Sequence, residues 1–271
     1  MSRVREFYEA NTWQFLLVGS GQAIHRELHG PGVRGRAQAL DFAHRLVDEQ
    51  LDAVGVRDGG RVLDLGCGVG AAMRYLGARS RADLVGVTIS GRQVRIARRI
   101  AARSAAAARL RFVEADFCDL PADLGTFALA YSIEAFIHAP AADRYLSQAA
   151  AVLAPGGRLV IIDDLLAEGA DADEPSVQTV RRCWHYDSLL TGSALFRLAD
   201  RAEFDLVEDT DLSGYQNLGR PRDRLIAAGQ PLLRRAAPHH RWSQMLVGGH
   251  ALQDVLRRGL LQHHRLVFRR R

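Results

Sequence analysis

Residues 62–70 read Val62-Leu63-Asp64-Leu65-Gly66-Cys67-Gly68-Val69-Gly70. The stretch ending at Leu65 predicts a buried strand over 61–65, and the small apolar run 71–76 predicts a helix. Between them stand three glycines at alternate positions, 66, 68 and 70. Glycine serves where the backbone needs φ > 0 or must approach a ligand with no Cβ in the way. A glycine turn between a strand and a helix N-terminus is a ligand cradle at the carboxyl edge of a parallel sheet. The dinucleotide fingerprint needs G-x-G-x-x-G/A. Here the spacing is G-x-G-x-G, and Asp64 two residues earlier would oppose a pyrophosphate. A cationic ligand with an amino group matches better.

The rest of the chain repeats the alternation. Strands are expected at 83–88, 110–114, 127–131, 158–163 and 203–207, with helices at 91–107, 141–153 and 188–202 between them. Pro155-Gly156-Gly157 makes the turn into the fifth strand. Crossovers of that length imply parallel pairing and a doubly wound α/β sheet. A last strand at 264–268 is expected to be antiparallel. Helices are predicted at 2–18 and 35–54, an acidic then aromatic segment at 164–186, and an Arg/His-rich helical segment at 214–260. The expected organisation is an N-terminal helical cap, 1–54, on a core, 55–271, with the substrate cap completed by 164–186 and 214–260.

Composition narrows the function classes. The chain has 271 residues, room for one elaborated domain with a large core. All 36 basic residues are Arg, and the net charge is +5. Together with the Ala tracts this is the coding bias of a GC-rich, bacterial genome. The basic residues are spread along the chain, which argues against a nucleic-acid partner. Cys67, Cys118 and Cys183 lack metal spacing and an even count, so reduced thiols in a cytoplasm are expected. No stretch reaches the length of a membrane span. A homo-oligomer is compatible with all of this.

D-x-G-C-G-x-G resembles the S-adenosylmethionine (SAM) loop of class I methyltransferases. That resemblance implies a seven-stranded, mostly parallel, Rossmann-like sheet that binds SAM and releases S-adenosylhomocysteine. It assigns the loop to Asp64, Gly66, Cys67, Gly68 and Gly70. Gly86-Val87-Thr88-Ile89-Ser90 with Gln93 resembles the variant in cyclopropane fatty acid synthases, where a hydroxyl and a Gln replace the ribose-binding acid. Asp116-Phe117 resembles the adenine clamp, Asp116 accepting from the amine and Phe117 packing on the ring. Leu153-Ala154-Pro155-Gly156-Gly157-Arg158-Leu159 resembles the family's L-x-P-G-G-x-L turn. The segment 7–15 resembles the N-terminal helix of cyclopropane synthases and sterol methyltransferases. This implies that Tyr8 reaches the cofactor and the reacting centre, and that Trp13 faces the substrate.

Tyr131-Ser132-Ile133-Glu134-Ala135-Phe136-Ile137-His138-Ala139-Pro140 is similar to the Y-A-I-E-A-T-x-H-A-P signature of sterol C24-methyltransferases, and less closely to geranyl diphosphate C-methyltransferases. The resemblance places Ser132 by the cofactor, His138 by the substrate and Glu134 at the methyl-transfer edge. Chemistry agrees. An alkene attacks a sulfonium without prior deprotonation, and the resulting carbocation needs a nearby anion and then a base. Glu134 supplies both. Ile24-His25-Arg26 sits where the sterol enzymes carry an H-Y-G-W-like segment, making His25 a further catalytic candidate. Trp184 and Tyr186 would wall an apolar pocket, and Arg220 with Arg222 would hold a diphosphate. No metal site is expected; Mg²⁺ would arrive only with a diphosphate substrate. The expected activity is C-methylation of an isoprenoid alkene in secondary metabolism. The alternatives are O- or N-methylation of a small natural product, or a SAM-fold protein that transfers no methyl.

Overall fold

The computed structural model describes residues 3–18, 24–218 and 241–271, with backbone alone for 3, 13–18 and 241–245. Seven strands form one sheet: β1 Arg61–Leu65, β2 Asp83–Thr88, β3 Leu110–Glu114, β4 Phe127–Ile133, β5 Leu153–Leu166, β6 Phe204–Asp211 and β7 Leu261–Arg270. Their order is β3-β2-β1-β4-β5-β7-β6. The β1–β2, β1–β4, β2–β3 and β4–β5 pairs are parallel, while β7 runs antiparallel to both β5 and β6. Strand order reverses between β1 and β4, the switch point where such sheets bind ligands beyond their carboxyl ends.

Both faces of the sheet are covered, so its central strands are apolar on both sides. Side chains alternate with the pleat. Val62 joins the core under α2 (Arg36–Ala53), α3 (Ala71–Gly77) and α4 (Gly91–Ala101), whereas Leu63 and Leu65 join the core under α5 (Ala142–Val152) and α7 (Gly192–Arg201). A third cluster ties α6 (Pro175–Trp184) to α8 (Arg241–Arg257) through Val177, Val180, Ala251 and Val255. The N-terminal helix α1 (Arg3–Val18) is joined to the body by Arg92, which donates to the Glu9 carbonyl at 2.8 Å, and by the Arg5–Glu114 pair. No described helix is long and apolar enough to cross a membrane.

The doubly wound sheet is as the sequence predicts, and the first three strands match residue for residue. Several boundaries shift. The helix expected over 91–107 ends at Ala101, because Ser104 N and Ala107 N turn back onto Ala101 O and Ser104 O before β3. The fifth strand, expected over 158–163, runs Leu153–Leu166: Pro155-Gly156-Gly157 forms a bulge inside it, and the pairing with β4 jumps from Phe127↔Leu153 to Leu129↔Arg158. The acidic segment begins only after Leu166, and the aromatic one is largely the helix α6. The helix expected over 188–202 is confined to Gly192–Arg201, with Thr191 accepting from Ala194 N as its cap. Of the 214–260 segment, 219–240 lie outside the described residues.

Candidate active site

The loop after β1 is built by close approach. Gly66 has φ +97, and a Cβ there would lie 2.4 Å from Ala135 Cβ, so only glycine lets it pass beneath the segment after β4. Gly66 N and Cys67 N both donate to Val87 O, at 3.0 and 2.9 Å, closing the loop onto β2. Gly68 has φ +52, and the nearest atom to a Cβ there is Ile24 Cδ1 at 3.6 Å, so it opens onto a cavity. That cavity of about 280 Å³ lies at the carboxyl ends of β1, β2 and β4. Gly70 stands apart from it: a Cβ would meet Phe112 Cε1 at 2.5 Å, so this glycine serves the core.

Asp64 is buried on the cavity floor and accepts from Tyr131 Oη at 2.9 Å, its register neighbour on β4. Burial pushes its carboxyl up to about 7, with the Tyr131 hydrogen bond partly opposing. A buried carboxylate with a single side-chain donor is completed by a cationic amine. Thr88, Ile89 and Gln93 line the adjoining wall. Thr88 Oγ1 donates to Gln93 Oε1 at 2.7 Å, and Gln93 Nε2 donates to Thr12 Oγ1 on α1 at 3.4 Å. Phe117 lines the cavity with its ring edge-on to Tyr145.

Two more expected cofactor contacts, besides Gly70, sit off the cavity. Asp116 is exposed and off the cavity wall; its Oδ1 accepts from Cys118 N at 2.8 Å, holding the turn after β3. Ser132 is fully buried in the strand and accepts from Tyr145 Oη at 2.9 Å, which makes it a packing residue. The side chain of Trp13, and both Arg220 and Arg222, lie outside the described residues.

Glu134 follows β4 with φ +49, its N–H donating to Ile162 O at 2.8 Å. This backbone turn sends the side chain into the cavity. Its Oε1 accepts from Arg26 N and Arg26 Nε, each at 3.1 Å. Arg26 Nη2 also bonds Asp164 Oδ1 at 2.6 Å, and Asp164 Oδ2 accepts from Tyr186 Oη at 3.2 Å. His263 Nδ1 lies 2.9 Å from the same Asp164 Oδ1. Burial alone would raise both carboxyls, but the Arg26 guanidinium and His263 together outweigh it and hold each below the ordinary carboxylate range. Neighbouring Asp163 goes the other way: burial and the Asp164 charge push it well up, with the Ile137 and Asp164 backbone N–H groups partly opposing.

Tyr8 and His138 form a second unit. Tyr8 Oη lies 2.8 Å from His138 Nε2, and His138 Nδ1 lies 3.0 Å from the His185 carbonyl. A carbonyl only accepts, which assigns the proton to Nδ1 and leaves Nε2 to accept from the tyrosine. Burial lowers the His138 ring and raises the Tyr8 hydroxyl. Trp184, at the end of α6, and Tyr186 complete this wall. His25 lines the cavity too, paired to His44.

The structure thus gathers Tyr8, His25, Asp64, Gly66, Cys67, Gly68, Thr88, Ile89, Gln93, Phe117, Glu134, His138, Trp184 and Tyr186 around one cavity. Sequence reasoning missed Arg26, Asp164, His263 and His44. The only signals were the paired Asp163-Asp164 at a strand end and His263-His264 on the last strand.

Comparison with known proteins agrees with the fold. Residues 62–157 match the family described as "Methyltransferase domain". The chain is 33% identical over 200 residues to 24-methylenesterol C-methyltransferase 2 of Arabidopsis thaliana, covering 72% of this chain and 54% of the relative. It is 30% identical over 193 residues to the chloroplastic tocopherol O-methyltransferase of the same plant, covering 65% and 54%. It therefore spans about half the length of the curated relatives it matches. Among solved structures, geranyl diphosphate C-methyltransferase from Streptomyces coelicolor A3(2) superposes with a TM-score of 0.69 at 17% identity, covering 98% of each chain. A glycine loop at the switch point, a seven-stranded sheet with β7 inserted antiparallel, and these relatives agree: the chain has the Rossmann-like methyltransferase fold, and its residues 62–157 form a methyltransferase domain.

Proposed function

We propose that the chain methylates carbon, adding a methyl group to an alkene of an isoprenoid through a carbocation. SAM, when bound, supplies that methyl as an electrophile on a sulfonium. Asp64, Gly68, Thr88 and Gln93 would hold it. The observation that carries the reading is the cavity-lining Glu134 carboxylate, kept ionised by Arg26. Asp164 sits on the same guanidinium, so Arg26 is shared between two carboxylates and leaves Glu134 an anion beside the cavity.

Such an anion stabilises a carbocation formed next to it. A carboxylate held below its ordinary range is a poor base toward a phenol or an ammonium. It is an adequate base toward a carbocation, which is a far stronger acid than any carboxylic acid. The faces of Tyr8, Trp184 and Tyr186 add π density along the wall. Residues 1–54 with the 164–186 and 214–260 segments would cover the site. In support, Tyr8, His25 and Arg26 come from the first, Trp184 and Tyr186 from the second and Leu252 from the third.

The Tyr8–His138 unit favours a second reading, O- or N-methylation. There His138 Nε2 would draw the Tyr8 proton while Tyr8 takes one from the acceptor. The two readings part on the atom that receives the methyl. Transfer of a labelled methyl group followed by NMR of the product distinguishes them.

One pH dependence follows from Asp64. Its folded carboxyl binds a proton more tightly than the unfolded one, so its contribution to stability declines as pH rises from its ordinary 3.8 toward about 7. A cationic amine reverses the preference, because it favours the ionised form. SAM affinity should therefore rise about tenfold between about pH 6 and pH 8, with proton release at the lower pH. Calorimetry in two buffers of different ionisation enthalpy reads that release. Asp64→Asn should bind weakly with no such slope, and an equal slope in the variant would remove Asp64 from the ligand.

A further inference from the structure

His25 and His44 both line the cavity and touch each other, and the contact has an unusual proton count. His25 Nε2 lies 2.8 Å from His44 Nε2, with the rings nearly perpendicular. At the outer ends, His25 Nδ1 lies 3.0 Å from Arg26 O and His44 Nδ1 lies 3.3 Å from Asp41 Oδ1. A carbonyl and a carboxylate only accept, so each outer contact needs an N–H. The middle contact needs one more. Two neutral imidazoles carry two such protons, and three contacts require three. The neutral pair therefore leaves one of the three contacts without its hydrogen, an outer one whenever the Nε2–Nε2 contact holds a proton, and a third proton completes the chain. His44 is 2% exposed, whereas the Asp41 side chain is 51% exposed, so the chain runs from the cavity wall to solvent.

We infer that His25, His44 and Asp41 form a proton relay that carries the proton released by methyl transfer out of the cavity to solvent. This rests on the reading that the acceptor loses a proton in each turnover. When the bare nitrogen is His25 Nδ1, a proton arriving there makes that ring an imidazolium. Its Nε2 proton passes to His44 Nε2, and His44 gives up its Nδ1 proton through Asp41 to solvent. One proton enters and one leaves. Glu134 is the donor side: its carboxylate accepts from Arg26 N, next in sequence to His25, and both side chains line the cavity.

The surroundings suit passage rather than storage. Facing His44 are Asp41 on its own helix, His25 from the loop, and Arg74 and Tyr75 on α3; Arg79, stacked on Tyr75, lies beside Asp41. Burial lowers the His44 ring to about 4, with Asp41 partly opposing it and His25 and Arg74 reinforcing it. The third proton is therefore shed at neutral pH.

The test begins without an acceptor, using ¹⁵N-histidine-labelled protein bound to S-adenosylhomocysteine. Long-range ¹H–¹⁵N spectra should show His25 and His44 as opposite tautomers that take up a proton together in acid. Asp41→Asn, a surface change that leaves the fold intact, should move that uptake to lower pH. Independent titration of the two rings, or no shift in Asp41→Asn, would overturn the relay whatever the substrate. With geranyl diphosphate and SAM, His44→Gln should slow single turnover at least about tenfold, with recovery by added imidazole. A full rate in His44→Gln would also overturn the relay. Absence of methyl transfer by the wild type to any alkene acceptor would count against the C-methylation reading alone, and the spectra would still decide the relay.

Discussion

Glu134→Gln should lower kcat by about 10²–10³-fold while leaving SAM affinity nearly unchanged. The substitution keeps the shape and an oxygen to accept from Arg26 N, so the turn after β4 persists. What goes is the charge. Arg26 is left with Asp164 as its anionic partner, and the cavity wall loses the Glu134 carboxylate. A carbocation formed there is poorly stabilised and lacks its proton acceptor, so isomeric alkenes or water-quenched alcohols should appear among the products. The wild-type carboxyl is depressed, so its ionised form persists as pH falls through the ordinary carboxylate range, and the rate should stay flat on that side. Single-turnover rates and product profiles at saturating SAM check this. An unchanged rate with one unchanged product would take Glu134 out of the mechanism.

Gly68→Val and Gly66→Ala should fail in different ways. At Gly68 a side chain enters the cavity, with φ +52 and the nearest neighbour 3.6 Å away. The fold has room for it, at a backbone cost of about 1–3 kcal/mol. The ligand does not, and SAM affinity should drop at least about 100-fold, or about 2.7 kcal/mol. At Gly66 the added Cβ collides with Ala135 Cβ at 2.4 Å, and neither atom has a rotamer to escape through. Overpacking of about 1–3 kcal/mol adds to the strain of φ +97, so Gly66→Ala should lose several degrees of Tm before any ligand is added. Calorimetry on both variants separates the two defects. Wild-type SAM affinity in Gly68→Val would move the cofactor off this loop.

The sheet was legible because its strands carry strong local signals. β1, β2 and β3 are short apolar runs ended by Gly, Ser or Asp, and their limits were read correctly from residue type alone. The fifth strand was not, because Pro155-Gly156-Gly157 reads as a turn and functions as a bulge held by β4 and β7. Cavity-lining positions on the β1 and β2 loops were legible for the same local reason. Asp116 and Ser132 were misplaced because a motif gives residue type but not direction: one side chain turns back onto its own backbone, the other into the strand packing. The charge cluster was invisible. Arg26, Asp164 and His263 are 99 or more residues apart in sequence and meet only because β7 inserts beside β5, placing His263 opposite Asp164. That cluster sets the state of Glu134, which the motif alone presents as a free carboxylate.

Carbon as the acceptor atom is tested most directly by the fate of the methyl group. The enzyme would be incubated with SAM carrying a ¹³C-methyl and a panel of prenyl diphosphates, free terpenes and phenols. Products would be identified by mass and by the ¹³C shift of the new methyl. The expected result is a methyl bonded to carbon on an isoprenoid, with one proton lost per turnover and the product sharply reduced in Glu134→Gln. A methyl found only on oxygen, formed at equal rate by Glu134→Gln, would contradict carbon methylation and move the chemistry to Tyr8 and His138.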